Sequence, residues 1–453
     1  MLPSSRREFL KTTGRVAALS SLAGLAIPYV HAAGDETIQV ALVGAGGRGT
    51  GAAMDAMNVP DGQVKLVAVA DVFQDRLDGS VQRLAEHYAA KMDAPKERQF
   101  VGFDAYRHAM DCLKPGDIVI LATPLAFRAP HFQYAIDKGL NVFMEKPLTS
   151  DGPASRRMLE LGGAAAQKNL KVAVGLMCRH CAVRHELMER IHDDIGDIIL
   201  LQGFREHGES ATAFSPRKPA NVSEVEYQIR RFHSFIWASG GLFNDFYIHN
   251  IDECCWAKNA WPVEAEAVGG RHYRGDNVDQ NFDNYAVDYT FADGTKLMFT
   301  GRVMRGCADK FCSYAFGTKG MAVISSAAHT PAHCKTYKSH RQDKADLIWE
   351  YAGKEPNPYQ LEWNDLVAAI RADKSYNEIE RGVKASVVCN MGRLAAHTGQ
   401  KVRFEDALNA TPEYAPTVAE LTLQTPAPVM PDADGRYPVP QPGVVTHADY
   451  AVS

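Results

Sequence analysis

The sequence predicts an α/β protein of two domains: a parallel sheet covered on both faces, then an α/β domain with an open, mostly antiparallel sheet. Three observations carry this. Short continuous apolar runs alternate with helix-length stretches from residue 36 to about 150. The first run ends directly in a cluster of glycines. Past about residue 170 the runs alternate in polarity instead, and two of them are joined by Asp293-Gly294, a tight-turn pair.

Taken in order, the chain opens with Ser5-Arg6-Arg7-Glu8-Phe9-Leu10-Lys11, which matches the twin-arginine export pattern. The apolar run from Val16 to about Val30 is short for a bilayer span, which needs about 20 apolar residues. Val30-His31-Ala32, with Ala33 beside it, offers a small-residue exit. Residues 1–33 therefore read as a removable targeting segment that contributes nothing to the fold. This predicts recognition by the twin-arginine machinery, a periplasmic or extracellular location, and no stable membrane insertion after processing.

About 420 residues remain, too many for one hydrophobic core. Ile38–Val43 is the first strand, and a small-residue helix follows near Gly51–Met57. Val64–Ala70, Asp117–Thr123 and Asn141–Met144 are further strands, with helical spacing over Arg76–Lys91 and Ala129–Lys138. Their uninterrupted apolarity predicts a sheet buried on both sides, spanning residues 36–160. The second domain, 165–410, takes its strands from Lys171–Gly175, Asp197–Phe204, Val263–Gly270, Asn284–Phe291 and Thr295–Arg302. Residues 205–235 are polar and irregular, a long excursion expected to reach towards a substrate. Leu361–Arg371 and Val383–His397 read as helices free to pack back on the first domain. Residues 411–453 are proline-rich and extended.

Composition narrows the partners. The chain is 46% hydrophobic and 23% charged with a net charge of −5, which offers no basic face to nucleic acid. Nine cysteines are an odd number and sparse for a disulfide framework. Cys178-x-x-Cys181 lacks a second such pair, so free thiols and no metal site are expected.

The glycine cluster reads Gly44-x-Gly46-x-x-Gly49, with Gly47 and Arg48 completing the turn. Between a strand and a helix this spacing suits a dinucleotide. The first glycine permits the turn, the second admits a pyrophosphate to the backbone, and the third lets helix and strand pack closely. Unpaired N–H groups at the helix start then face the phosphates. Asp71 ends the second strand, 22 residues past Gly49, where a carboxylate accepts hydrogen bonds from a ribose 2′-OH and repels a 2′-phosphate. The cofactor expected is NAD rather than NADP.

Two further stretches can carry chemistry. "MEKPL" places Glu145 and Lys146 at the C-terminal end of a parallel strand, where ligands of such sheets sit. "GGLFNDFYIHNID" places Asp245 and His249 four residues apart, on one helix face. Oxidising an alcohol requires a nicotinamide, a base for the hydroxyl proton and a cation near the developing alkoxide. His249, steadied by Asp245, can be the base and Lys146 the cation.

The order of the glycine loop, Asp71, "TPLAFRAPHFQYAIDKGLNVFMEKPL" and "DFYIHNID" resembles the glucose–fructose oxidoreductase/inositol dehydrogenase (Gfo/Idh/MocA) family. "EYQIRRFHSFIWASGG", "GTKG" at 317–320 and "MGRLAAHTGQKVRFEDAL" are similar to an exported branch of it. The resemblance implies a Rossmann domain followed by a substrate domain with an open sheet. It implies catalytic roles for Lys146, Asp245 and His249, and a cofactor groove lined by Thr123, Pro124 and His131. Arg179 and Tyr247 are substrate-side candidates, and association of copies through the open sheet follows by analogy.

A folded protein exported by the twin-arginine route can leave the cytoplasm with NAD already bound. It then has no free pool with which to exchange it, so the reaction must restore its own cofactor. The expected activity is an NAD-dependent oxidoreductase acting on a sugar, polyol or glycoside. The alternatives are a glycosidase that works by transient oxidation and elimination, and a non-catalytic sugar- or NAD-binding protein.

Overall fold

The computed structural model describes residues 37–451 apart from Asp61 and Tyr273; the twin-arginine segment lies outside the described residues. The chain begins with β1 (Ile38–Val43), α1 (Gly47–Met57), β2 (Val64–Asp71), α2 (Gln74–Tyr88), β3 (Gln99–Val101) and α3 (Ala105–Asp111). It continues through β4 (Ile118–Leu121), α4 (Arg128–Asp137), β5 (Asn141–Met144), α5 (Gly152–Gln167) and β6 (Val172–Val174). All six strands are parallel, in the order β3-β2-β1-β4-β5-β6. Ile118–Leu121 and Asn141–Met144 are wholly buried, as the apolar runs require for a sheet covered on both faces. The strand order reverses between β1 and β4, and a crevice opens there at the strands' C-terminal ends.

The second domain follows with α6 (Ala182–Ile195), β7 (Ile198–His207), α7 (Glu224–Arg230), α8 (Ile236–Ser239) and α9 (Gly241–Lys258). Next come β8 (Glu264–Gly270), β9 (Asn284–Thr290), β10 (Lys296–Val303), β11 (Lys310–Gly317), β12 (Met321–Ser326), β13 (Lys335–Tyr337) and β14 (Leu347–Glu350). The chain closes with α10 (Pro358–Arg371), α11 (Ile379–Thr398), β15 (Val402–Arg403) and α12 (Phe404–Asn409). The nine-stranded sheet runs β14-β13-β12-β11-β7-β10-β9-β8-β15, and only the β7–β10 pair is parallel. Its inner face packs on α9 and α11: Phe299, Tyr285 and Tyr289 meet Phe243 and Tyr247 of α9 in one continuous core. Its outer face carries Phe204, Tyr314, Phe316 and a half-exposed Met298.

The α/β class and the two sheets agree with the sequence, and three details differ. Val172–Val174 pairs with β5 as the sixth parallel strand rather than joining the second sheet. The run is wholly buried although it is the last strand of its sheet, because the 376–378 segment before α11 covers its open edge, where Val172 N–H donates to the Tyr376 carbonyl at 2.8 Å and Glu378 N–H to the Val172 carbonyl at 3.0 Å. The second sheet also gains β11 to β14, which the sequence did not announce because their apolar residues serve both faces and blur the alternation. The proline-rich segment from 411 onward is packed, not free. It lies over Tyr227, Phe235 and Trp237. Its far end puts Asp449, fully buried, against Arg393 and His397 of α11. Helix α10 does return to the first domain, where Trp363 stacks on Phe143 of β5 at 4.6 Å. All nine cysteines are free; Cys307 is exposed and Cys112 half-buried.

Candidate active site

A cleft of about 630 Å³ runs along the C-terminal ends of β1, β2 and β4 to the start of α9. The glycine turn forms its floor. Gly44 has φ +96°, and a Cβ there would sit 2.7 Å from the Ala122 carbonyl carbon. A Cβ on Gly49 would lie 1.9 Å from the Gly44 oxygen, so α1 packs against the turn only with glycine at that position. Gly46 and Gly47, by contrast, face open space. This is the fit a dinucleotide needs: a tight turn, close helix packing, and bare backbone amides where the pyrophosphate lies.

Asp71 closes the adenosine end. Its carboxylate accepts hydrogen bonds from the Ala45 N–H at 2.7 Å and the Phe73 N–H at 2.9 Å. Burial pushes its pKa up, and those two amides oppose the shift. Asp71→Ser removes the ribose acceptor while leaving the turn in place. The expected result is weaker NAD binding and a narrower preference over NADP, read by fluorescence titration of protein stripped of cofactor. Tighter NADP than NAD binding by the unmodified protein would show the assignment of Asp71 to be wrong.

The opposite end is built by β4 and β5. Thr123, Pro124 and His131 line the cleft. His131 stacks on Tyr106 at 4.1 Å, and burial lowers its pKa to about 3, so the ring is neutral. Arg128, buried, donates to the Thr123 carbonyl at 2.8 Å and to the Glu145 carbonyl, which ties the two strand exits together. Glu145 pairs with Arg48 at 2.9 Å, joining the "EKP" turn to the glycine turn. The Arg48 guanidinium lies 4.6 Å over the Tyr359 ring of α10.

Lys146 reaches across to the second domain. Its Nζ donates to the Asp245 carbonyl at 2.7 Å and lies 3.5 Å from the Asp245 carboxylate. The other carboxylate oxygen is 3.3 Å from His233 Nε2, and His233 Nδ1 meets Thr212 Oγ1 at 2.7 Å. Burial alone would raise the Asp245 pKa. The Lys146 ammonium and the His233 and His249 rings outweigh burial and hold it well below the usual carboxylate range.

The structure changes the expected pairing. Asp245 and His249 share a helix face, but the carboxylate is engaged by Lys146 and His233, not by His249. His249 sits one turn deeper, 5% exposed, with its ring 4.5 Å from His329 and its Nδ1 without a hydrogen-bond partner. Burial, then Lys146 and Arg205, push its pKa well below 6.5. Two candidates leave the site altogether. Arg179 is committed to a bidentate pair with Asp252, at 2.7 and 2.8 Å, behind α9. Tyr247 is fully buried against the inner face of the sheet, where a Cβ on Gly301 would come within 2.4 Å of its ring.

Sequence reasoning missed His233, Arg128, Arg205 and His329. His233 lies in the irregular 205–235 excursion, so its neighbourhood was indicated though its identity was not. Arg128 stands one helical turn before His131 in "FRAPH", a spacing that could have singled it out. Arg205 opens that same 205–235 stretch, although the structure keeps it in β7, and His329 had no local signal.

Residues 38–176 match the model of an oxidoreductase family with an NAD-binding Rossmann fold, Gfo/Idh/MocA. The chain is 32% identical over 161 residues to a glycosyl hydrolase family 109 protein of Shewanella pealeana, covering 32% of this chain and 34% of that one. It is 30% identical over 130 residues to an inositol 2-dehydrogenase of Corynebacterium glutamicum, covering 27% and 36%. The matches thus span about a third of the length of these curated relatives. Among solved structures, an aldose-aldose oxidoreductase from Caulobacter crescentus superposes with a TM-score of 0.63 at 15% identity, covering 81% of this chain and 100% of that one. A scyllo-inositol dehydrogenase from Lactobacillus casei with bound NAD(H) superposes with a TM-score of 0.57 at 20% identity, covering 82% and 100%. The matched region is thus the part of the chain that the family model describes as an NAD-binding Rossmann fold.

Proposed function

We propose that the protein is an oxidoreductase that oxidises a hydroxyl of a sugar, polyol or glycoside and restores its NAD in the same site by returning the hydride to a carbohydrate carbonyl. The observation that supports this most is the meeting of Lys146, Asp245 and His233 at the end of the dinucleotide cleft, with a neutral His249 next to them. NAD bound in the cleft supplies the oxidant. The glycine-turn amides and Asp71 would hold its pyrophosphate and ribose, and Thr123, Pro124 and His131 would border its nicotinamide end. Lys146 presents an ammonium to the substrate oxygen and stabilises it as its proton leaves. His249, held neutral, accepts that proton. Asp245, kept ionised by its two partners, fixes Lys146.

The test is the absorbance of protein purified without added cofactor, followed by a panel of sugars and polyols. A reduced-nicotinamide band that appears with one sugar and bleaches with a carbonyl acceptor supports the reading. A protein that co-purifies with no nicotinamide and responds to no member of the panel overturns it. The glycosyl hydrolase family 109 relative favours one second reading, a glycosidase that oxidises, eliminates and reduces back. Release of an aryl aglycone from glycosides in the same panel distinguishes it.

Export by the twin-arginine route remains part of the proposal, resting on Arg6 and Arg7. Replacing both with lysine should retain the protein in the cytoplasm, and normal export of that variant would refute it. The apolar outer face around Phe204, Met298 and Tyr314 supports homo-oligomerisation, which sedimentation of the purified protein tests.

A further inference from the structure

One helical turn beyond Asp245 lies a wall of buried nitrogens that have no hydrogen-bond partner among the described residues; none belongs to the lining of the cleft itself. Arg205 on β7 is directly opposite Phe311 on β11, so the two side chains share the inner face. The guanidinium lies 3.9 Å over the Phe311 ring. Phe311 meets the His329 ring at 4.5 Å, and His329 meets His249 at 4.5 Å. Arg205 Nε, His329 Nδ1 and His249 Nδ1 are all buried without hydrogen-bond partners. His207, two residues beyond Arg205 on the same face, adds an unpartnered Nε2.

Three other buried cations nearby are matched by carboxylates, whereas Arg128 meets only backbone carbonyls. Arg184 pairs with Glu253 at 2.7 Å, Arg179 with Asp252 at 2.7 Å, and Lys146 with Asp245 at 3.5 Å. Arg205 forms no ion pair among the described residues, and burial depresses its pKa. A guanidinium withdrawn from water without an anion is costly, and the cost is removed if a ligand brings the anion. The wall is also held in place. Arg184, fully buried, donates to the His329 carbonyl at 2.9 Å. Ser326 N–H donates to the Ala332 carbonyl at 3.0 Å, closing the loop. Ala327 and His333 adopt left-handed backbone conformations, at φ +68° and +56°, a strain that ordinary connections avoid.

We infer that Arg205, with His329 and His249, forms an oxyanion subsite, and that the substrate is an acidic carbohydrate whose carboxylate or phosphate group docks on this wall next to the carbon that Lys146 addresses. A planar guanidinium is suited to such a group because it donates two parallel hydrogen bonds. The neutral His329 imidazole, beyond the Phe311 ring, supplies a further donor without adding repulsion between cations. The inference rests on the proposed carbohydrate activity of the same site.

The experiment measures equilibrium binding by calorimetry on the NAD-loaded protein, so that it does not depend on turnover. The ligands are a hexuronate, the corresponding hexose phosphate and the neutral parent hexose. The unmodified protein should bind one of the two acidic forms at least tenfold more tightly than the neutral hexose, and which one it prefers identifies the oxyanion. Arg205→Gln should cut that ratio roughly ten- to hundredfold, the loss expected for a charge-assisted hydrogen bond. His329→Gln should cut it less, and thermal melts of both variants confirm folding. If the neutral hexose binds as tightly as both acidic forms, or if the ratio survives in folded Arg205→Gln, the subsite is disproved. If the acid binds through Arg205 but never reduces the bound NAD, the oxidoreductase reading fails and the oxyanion subsite stands.

Discussion

Lys146→Ala is expected to slow single-turnover reduction of bound NAD by the best sugar by about 10²–10⁴-fold, with NAD still bound. Lys146 spans from the "EKP" turn to Asp245, and in the proposed reaction it acts on charge that develops only as the hydroxyl proton leaves. Its loss therefore falls on kcat more than on binding. His249→Ala should cost a similar factor, and the double variant much less than the product of the two, because both residues serve one step. Asp245→Asn should cost less than either, since it holds Lys146 and transfers nothing. The pH profile carries a further sign. A base must be unprotonated to act, and burial with Lys146 and Arg205 nearby holds His249 unprotonated well below pH 6.5. The rate should stay level as pH falls through 6.5 and decline only at lower pH. A decline centred near 6.5, or a wild-type rate in His249→Ala, would place the base elsewhere.

Asp449→Ala should destabilise the fold by about 3–5 kcal/mol, the usual cost of stripping one partner from a buried ion pair. Asp449 accepts from Arg393, from His397 at 2.5 Å and from the Tyr414 hydroxyl at 2.5 Å, all buried. Arg393 in turn donates to the Ser150 carbonyl at 2.7 Å, to Asn244 Oδ1 at 2.7 Å and to the Gly240 carbonyl at 3.2 Å. One side chain thus ties the segment after Lys146 to the helix start that bears Asp245. The C-terminal segment is the latch on that hub, so activity should fall together with stability. Burial alone would raise the Asp449 pKa, but Arg393 and His397 outweigh it and hold it below the usual carboxylate range. A depressed carboxylate stabilises above its unfolded pKa, about 3.9, and loses that contribution as pH falls towards its folded value. Urea melts should therefore show a constant gap between wild type and variant from about pH 7 to pH 5, narrowing below about pH 4. A variant that melts like wild type at pH 7 would show that the segment merely rests on the surface.

What could be read from the sequence was what stereochemistry fixes locally. Gly44, Gly46 and Gly49 are dictated by a turn, an open cradle and a close helix contact, each visible within six residues. Asp71 and Lys146 stand at ends of strands whose apolar runs announce them. The Asp245–His249 pair was legible as a shared helix face, but spacing along one helix does not reveal what arrives from other elements. Lys146 and His233 reach the carboxylate from 99 and 12 residues away, and they take it from His249. Arg205 and His329 were hidden for the same reason. One sits where a strand outruns its apolar run, and the other in a loop between strands that the pattern did not disclose. The latch at Asp449 could not be read at all, because a proline-rich segment carries no periodicity to show which face it buries.

The most direct test of the central claim, oxidation of a carbohydrate on a cofactor that never leaves, is multiple-turnover assay of the purified protein with no NAD added, using a substrate deuterated at the carbon that is oxidised and a second sugar as the carbonyl acceptor of the hydride. Many equivalents of carbohydrate product per protein are expected, with the deuterium recovered in carbohydrate. Turnover that stops at one equivalent and resumes only when free NAD is supplied would contradict it.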